Sequence, residues 1–127
     1  MMPSAILLSD DLIFTSRVTG TARDLGLRVT PARSPAALLE SARQQMPTCV
    51  IVDLSHPGLV IGELTAGLGA LPARPRVVGY GSHVDTATLH AARDAGCDVV
   101  LPRSRFVEEL PTALPAWLAD PAGGAGE

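Results

Sequence analysis

The chain has 127 residues, a length that suggests one domain around a single hydrophobic core. Hydrophobic residues make up 46% and charged residues 18%, a globular composition that excludes an intrinsically disordered chain. The net charge of −3 argues against binding nucleic acid through net charge, and because all ten basic residues are arginine, Schiff-base chemistry and a phosphate-loop lysine are excluded.

Short apolar segments recur along the chain and are predicted as buried strands. They cover residues 5–9, 27–30, 49–53, 76–80 and 98–101. The third and fourth segments are rich in β-branched residues and almost continuously apolar, which is typical of parallel strands covered on both faces.

Helical patterns lie between the strands. The first has an apolar stripe from Phe14 to Leu25 and ends at Gly26. The second begins at Ser34, a capping residue followed by proline at the first helical position, and ends at Pro47. The third is predicted over about residues 60–71 and the fourth over about 85–95.

The fifth helical pattern places Phe106, Leu110, Leu114 and Trp117 on one stripe. Proline lies at two positions inside this segment, 111 and 115, so a bend or break is expected there. We expect residues 1–118 to form the folded domain and residues 119–127, with one proline and three glycines, to be a disordered tail.

The order of elements is therefore a strand followed by a helix, repeated five times. Right-handed crossovers then give an α/β fold of three layers, with a parallel sheet between two helices on one face and three on the other. Functional residues of such folds lie at the carboxyl ends of the strands.

Three carboxylates follow predicted strand ends. Asp10 and Asp11 come after the first strand, and Asp53 ends the third. Grouped in one pocket they would repel one another, and a hard divalent cation such as Mg²⁺ would relieve that repulsion. The alternative for Asp11 alone is a simple helix cap.

These segments resemble a known family. Leu-Leu-Ser-Asp-Asp, then Val-Ile-Val-Asp-Leu-Ser-His-Pro-Gly, then Ala-Gly-Cys-Asp-Val-Val-Leu are similar to the receiver domain of bacterial two-component response regulators, over about residues 4–118. The resemblance implies a flavodoxin-like fold with strand order 2-1-3-4-5. It also implies weak Mg²⁺ binding by Asp10, Asp11 and Asp53, with Asp53 as phosphoryl acceptor.

The same resemblance implies switch residues that this chain lacks or replaces. The family has a hydroxyl residue at the end of strand four, where Tyr80 or Gly81 stands here, with Ser82 one or two residues later. A lysine follows strand five in the family, and the corresponding residue is Arg103. The family's aromatic residue in strand five corresponds to Val100. Gly81, Ser82 and Arg103 are therefore the candidate switch and phosphate contacts of an atypical receiver.

Three functions follow as hypotheses. The first is a stand-alone, non-enzymatic signalling module of a phosphorelay that receives its phosphoryl group from a histidine kinase or phosphotransfer protein. It would act on a protein target through the fourth and fifth helices. The second is a pseudo-receiver that is not phosphorylated and acts as a constitutive binding or dimerisation module, for instance as a homodimer. The third is a small Mg²⁺-dependent phosphate-ester hydrolase.

The remaining reactive residue types carry no site of their own in this interpretation. Cys49 and Cys97 are expected to be buried small hydrophobes, and His56 and His83 to be solvent-facing loop residues rather than Zn²⁺ ligands. Neither a membrane span nor a signal peptide is recognised, so we expect a cytoplasmic protein without membrane or nucleic-acid partners.

Overall fold

The structure is a computed structural model, and it describes residues 3–119. The strands are β1 (Ser4–Leu8), β2 (Arg28–Ala32), β3 (Cys49–Asp53), β4 (Arg76–Gly81) and β5 (Val99–Pro102). The helices are α1 (Leu12–Asp24), α2 (Pro35–Gln45), α3 (Ile61–Gly69), α4 (Thr86–Asp94) and α5 (Arg103–Leu118). All the predicted elements are present, and β3 has its predicted bounds. The predicted tail lies outside the described residues, apart from Ala119 at the end of α5.

The five strands form one parallel sheet in the order β2-β1-β3-β4-β5. This confirms the predicted flavodoxin-like fold. All five residues of β3 are buried, because the strand is central in the sheet and covered on both faces. The carboxyl ends of β1, β3, β4 and β5 consequently meet at one edge.

Two helical layers cover the sheet and differ in composition. The layer of α1 and α5 contains Phe14, Phe106 and Trp117, packed on Tyr80 of β4, and we call it the aromatic face. The layer of α2, α3 and α4 packs only aliphatic residues and one cysteine, and we call it the aliphatic face. The predicted division into two and three helices is confirmed.

Local capping explains where the helices begin and end. The side chain of Ser34 accepts a hydrogen bond from the Ala37 amide, and Asp85 does the same for the Thr88 amide. The chain leaves α1 and α4 through Gly26 and Gly96, whose φ angles of 73° and 106° favour glycine.

Helix α5 continues through both of its prolines, so the predicted break is absent. Pro111 and Pro115 are exposed, while the stripe of Phe106, Leu110 and Leu114 is buried. The hydrogen bonds lost at the prolines therefore lie toward water, which can satisfy the freed carbonyls. No helix among residues 3–119 has the length and apolarity needed to cross a bilayer.

Both cysteines are unpaired and buried, as predicted. Burial raises the pKa of the Cys49 thiol to about 12 and that of Cys97 to about 11. The reactive thiolate is therefore scarce near neutral pH, which fits a packing role for both residues.

Candidate functional site

Asp53 lies at the carboxyl edge of the sheet, where β3 ends beside Tyr80 of β4. It is only 5% exposed. Its Oδ1 accepts hydrogen bonds from the Ser55 amide at 2.9 Å and from the Ser55 hydroxyl at 2.7 Å. Its Oδ2 accepts none from the described residues, so one oxygen fixes the carboxylate and the other is available for chemistry.

Asp11 has a different role in the same region, because it caps α1. Its Oδ1 accepts from the Phe14 amide at 3.0 Å, and its Oδ2 accepts from Nη2 of Arg103 at 3.3 Å. The hydrogen bond from the Phe14 amide, aided by the positive charge of Arg103, lowers the pKa of this carboxyl. Both oxygens of Asp11 are thus occupied by protein donors. The cap considered as an alternative for Asp11 is present.

Arg103 begins α5 and is held by two contacts. One is the ion pair with Asp11, and the other is a cation–π contact, with the guanidinium carbon 4.5 Å from the centre of the Phe14 ring. The guanidinium carbon also lies 5.9 Å from the centre of the Tyr80 ring. The side chain is about half exposed, at 46%, so its position comes from these contacts rather than from burial.

These residues surround one cavity of about 770 Å³ at the carboxyl edge. The polar residues of its lining are Asp11, Arg17, Asp53, Ser55, Tyr80, Ser82, His83, Arg103 and Ser104. Its volume is that of an ordinary small-ligand pocket. The cavity brings together Asp11, Asp53, Gly81, Ser82 and Arg103, which are all the predicted site residues except Asp10.

Comparison with known proteins places this geometry in context. No family model matches the chain, and no curated relative does. Among solved structures, a candidate response regulator from Chloroflexus aurantiacus is similar with a TM-score of 0.80 at 20% identity, covering 94% of this chain and 99% of that one. A chemotaxis response regulator of Vibrio cholerae is similar with a TM-score of 0.78 at 16% identity, covering 93% and 100%. The receiver domain of the Mycobacterium tuberculosis protein NarL follows at 0.73 and 18%, covering 91% and 94%.

The chain has the receiver fold. At this level of identity the likeness establishes the architecture, and the roles of individual residues rest on the geometry of the site.

Three clustered carboxylates were predicted, and the structure places two of them, Asp11 and Asp53, in the lining of the same cavity. Asp10 is exposed and does not line the cavity. Within residues 3–119, no three acidic, histidine or cysteine side chains lie together as a metal site. Each oxygen of Asp11 accepts a hydrogen bond, from Phe14 or from Arg103, and the positive charge of Arg103 opposes a divalent cation at this carboxylate, so Asp11 in this position does not fit Mg²⁺. The predicted weak binding of Mg²⁺ stays a prediction, and it requires Asp11 to part from Arg103.

The two candidates for the hydroxyl position lie on different sides of the sheet edge. A side chain at Gly81 would point toward Leu54 and Leu89 of the aliphatic face, at 3.5 Å from each. Ser82 lines the cavity, but its hydroxyl accepts a hydrogen bond from the Val84 amide at 3.3 Å. Of these two residues only Ser82 offers a hydroxyl to the cavity, and its oxygen is also engaged in a turn of the loop after β4.

Tyr80 lines the cavity, although it was not among the predicted candidate contacts. Its ring stacks against Phe106 at 4.6 Å and lies 4.8 Å from Phe14. Its hydroxyl is buried, and burial, aided by the charge of Asp53, raises the pKa of the phenol, while the Ser9 side chain opposes the shift. The signal was present in the sequence, since Tyr80 and Asp53 each end a predicted strand, and the two residues pair in the sheet.

His56 is buried, so its assignment as a solvent-facing residue was wrong. Its Nε2 lies 2.7 Å from the carbonyl oxygen of Arg33, and its Nδ1 accepts from the Gly58 amide at 3.0 Å. These contacts require the neutral ring with its proton on Nε2, and they tie the loop after β3 to the loop after β2. His83 is exposed as predicted and lines the cavity.

Proposed function

We propose that this protein is a receiver-like signalling module whose Asp53 accepts a phosphoryl group. The supporting observation is the state of the Asp53 carboxylate. It is buried in a cavity wall, with Oδ1 held by Ser55 and Oδ2 free of protein donors. A fixed carboxylate with one free oxygen is suited to in-line attack on phosphorus.

In the proposed reaction Oδ2 of Asp53 attacks the phosphorus of a phosphorylated donor. A phosphorus–oxygen bond forms to Asp53, while the bond from phosphorus to the donor breaks and the donor leaves with its electron pair. The donor is a phosphohistidine of a histidine kinase or phosphotransfer protein, or a small acyl phosphate such as acetyl phosphate. Arg103 and Arg17, which line the same cavity, supply positive charge for the phosphoryl oxygens.

Incubation with acetyl phosphate followed by intact mass measurement tests the proposal. We expect a gain of one phosphoryl mass in the wild type and none in Asp53→Asn. Asp94→Asn is a matched control, because Asp94 is an exposed carboxylate at the end of α4, away from the cavity. If the wild type gains no mass while a conventional receiver does in the same buffer, phosphorylation of Asp53 is refuted.

Two observations favour a second candidate, the pseudo-receiver that binds its partner constitutively. Gly81 presents no hydroxyl, and Val100 is a small residue packed into the aliphatic face. A ligand shifts a conformational equilibrium only through contacts that differ between the two states, and few such contacts are available here.

Hydrogen exchange over residues 80–118, with and without beryllofluoride, separates the two candidates. For the pseudo-receiver we expect no change on α4 and α5, which remain the proposed surface for a protein target or a second copy of the chain. A large change that depends on beryllofluoride would favour the conventional switch.

A further inference from the structure

The cation at this site is part of the protein chain. Arg103 Nη2 donates to Asp11 Oδ2 at 3.3 Å, and the other oxygen of Asp11 accepts from the Phe14 amide. A divalent metal bound to Asp11 would lie beside this guanidinium, and the two positive charges would repel each other. Metal and arginine are therefore alternative partners for the same carboxylate.

Arg103 is held in that position. Its guanidinium lies over the Phe14 ring at 4.5 Å, and Phe14 is itself buried and packed against Tyr80 at 4.8 Å. Arginine stacked on an aromatic ring loses little freedom when it forms a further hydrogen bond. A cation that is already positioned has an advantage over a metal ion that must first shed water.

The Arg103 guanidinium also has N–H donors that are not used in hydrogen bonds to the described residues. It carries five N–H donors, and among the described residues it donates only to Asp11. Arg17 lines the same cavity and has no ion pair within residues 3–119. Two arginines with free donors form a surface for phosphate-type oxygens, which they bind in a planar, paired geometry.

We propose that Arg103 takes the place of the divalent metal at Asp11, so that the cavity binds a phosphoryl-type oxyanion without metal. Two sources share this chemistry: a phosphoryl group carried by Asp53, and a free phosphate or phosphate ester. The first source rests on the function proposed above, and the second does not.

The first experiment uses Mn²⁺ alone as a probe, followed by paramagnetic broadening of the amide signals of Asp11, Asp53 and Ser82. In the wild type we expect weak broadening. In Arg103→Gln, which frees Asp11, we expect Mn²⁺ to bind about tenfold more tightly or better, because one charge-assisted contact is released. Arg105→Gln is the matched control, since it removes an arginine near the start of α5 that pairs with Glu109 and does not line the cavity, and it should behave as the wild type. Equal Mn²⁺ affinity in wild type and Arg103→Gln would overturn the proposal.

The second experiment titrates inorganic phosphate into the protein in the presence of EDTA, with amide shifts at residues 81–83 and 103 as the readout. We expect binding in the wild type, unchanged when Mg²⁺ replaces EDTA, and about tenfold weaker in Arg103→Gln. Asp11→Asn keeps an oxygen to cap α1 but loses the charge that holds Arg103, and it should bind phosphate at least as well as the wild type. Phosphate binding that appears only with Mg²⁺ would refute the inference.

Acetyl phosphate in EDTA distinguishes the two sources. A mass gain without metal, absent in Asp53→Asn, identifies the phosphoryl group on Asp53 as the bound oxyanion. If no mass is gained with or without Mg²⁺, while phosphate still shifts the amides in EDTA, the phosphorylation proposal fails and the metal-free oxyanion site stands.

Discussion

The two faces of the sheet are covered by different kinds of side chain. All four aromatic residues of the chain pack together on the aromatic face. The centre of the Phe106 ring lies 5.6 Å from that of Trp117 and 4.6 Å from that of Tyr80. The aliphatic face has none, and it packs three shorter helices with leucine, valine and alanine.

The functional edge belongs to the aromatic face. Side chains alternate along a strand, so Asp53 follows Cys49 and Ile51 to that side, and Tyr80 does the same in β4. The aromatic residues also connect the core to the site, because the guanidinium of Arg103 lies over the ring of Phe14. The aromatic residues therefore both fill the core and position the charged groups of the site, whereas the side chains of the aliphatic face serve to pack the helices on the sheet.

The largest expected effect comes from truncating the centre of the stack. Phe106 is fully buried, and Phe106→Ala should lower the free energy of unfolding by about 3–5 kcal/mol. The matched change on the aliphatic face is Leu38→Ala, also at a fully buried position, which should cost about 2–5 kcal/mol.

Urea unfolding measures both variants, and the fluorescence of Trp117 separates them. Because Trp117 stacks on Phe106, its native emission should change in Phe106→Ala and stay as in the wild type in Leu38→Ala. The same emission in both variants would contradict the division of the core into two separate faces.

The fold could be predicted from the sequence because its signals are local. The run Cys-Val-Ile-Val-Asp gives β3 its bounds, and Ser34 with Pro35 gives the start of α2. Strand β2 extends past its predicted end through Pro31, which is tolerated because β2 is an edge strand.

The site was predicted only where a side chain follows directly from its strand. Asp53 and Asp11 were identified, yet the pairing of Asp11 with Arg103 spans 92 residues of sequence and depends on the Phe14 ring between the elements. His56 was missed because loop histidines are usually exposed, while this one bonds to a carbonyl of another loop. Such contacts arise from tertiary packing and leave no periodic signal.

Glycines of β4 offer a smaller effect on the aliphatic face. A Cβ at Gly79 would lie 3.1 Å from Cδ2 and 3.2 Å from Cδ1 of Leu54, which is itself buried. Gly79→Ala should therefore destabilise the protein by about 1–3 kcal/mol through overpacking. Gly81→Ala is the matched control, since its Cβ would be in ordinary contact at 3.5 Å, and it should stay within about 0.5 kcal/mol of the wild type. Thermal unfolding compares the two variants. An equal loss of stability in both would show that the close approach to Leu54 is not what destabilises Gly79→Ala.

A third effect concerns the end of α5 on the aromatic face. Nη1 of Arg76 donates to the carbonyls of Ala116 at 2.8 Å and Trp117 at 2.7 Å in the last turn of α5, where few amides of the helix remain to do so. Arg76→Met keeps the length of the side chain and removes the donors, so we expect a loss of about 1 kcal/mol. Hydrogen exchange should rise in the last turn of α5, while α4 should be unaffected. An increase spread evenly over both helices would contradict a local capping role.

The smallest effect is a dependence on pH, and it again distinguishes the two faces. Asp11 caps α1 on the aromatic face and Asp85 caps α4 on the aliphatic face, and the pKa of each carboxyl is lowered from the ordinary 3.8. A carboxyl whose pKa is lower in the folded state stabilises the protein above its unfolded pKa, and this contribution is lost as the pH falls through the folded pKa. The stabilisation should therefore decline below about pH 4.

The causes of the two shifts differ, and salt tells them apart. The Asp85 shift comes from the hydroxyl and amide of Thr88, which are neutral, whereas the Asp11 shift comes from the Phe14 amide with a further part from the charge of Arg103. Added salt screens charges at exposed positions and leaves short hydrogen bonds largely intact. We expect Asp11→Asn to flatten the acid limb of the thermal stability curve more at low salt than at high salt, and Asp85→Asn to flatten it equally in both. A salt-independent effect at Asp11 would mean that Arg103 does not charge-pair with it in solution, which would also remove the basis for treating this arginine as the cation of the site.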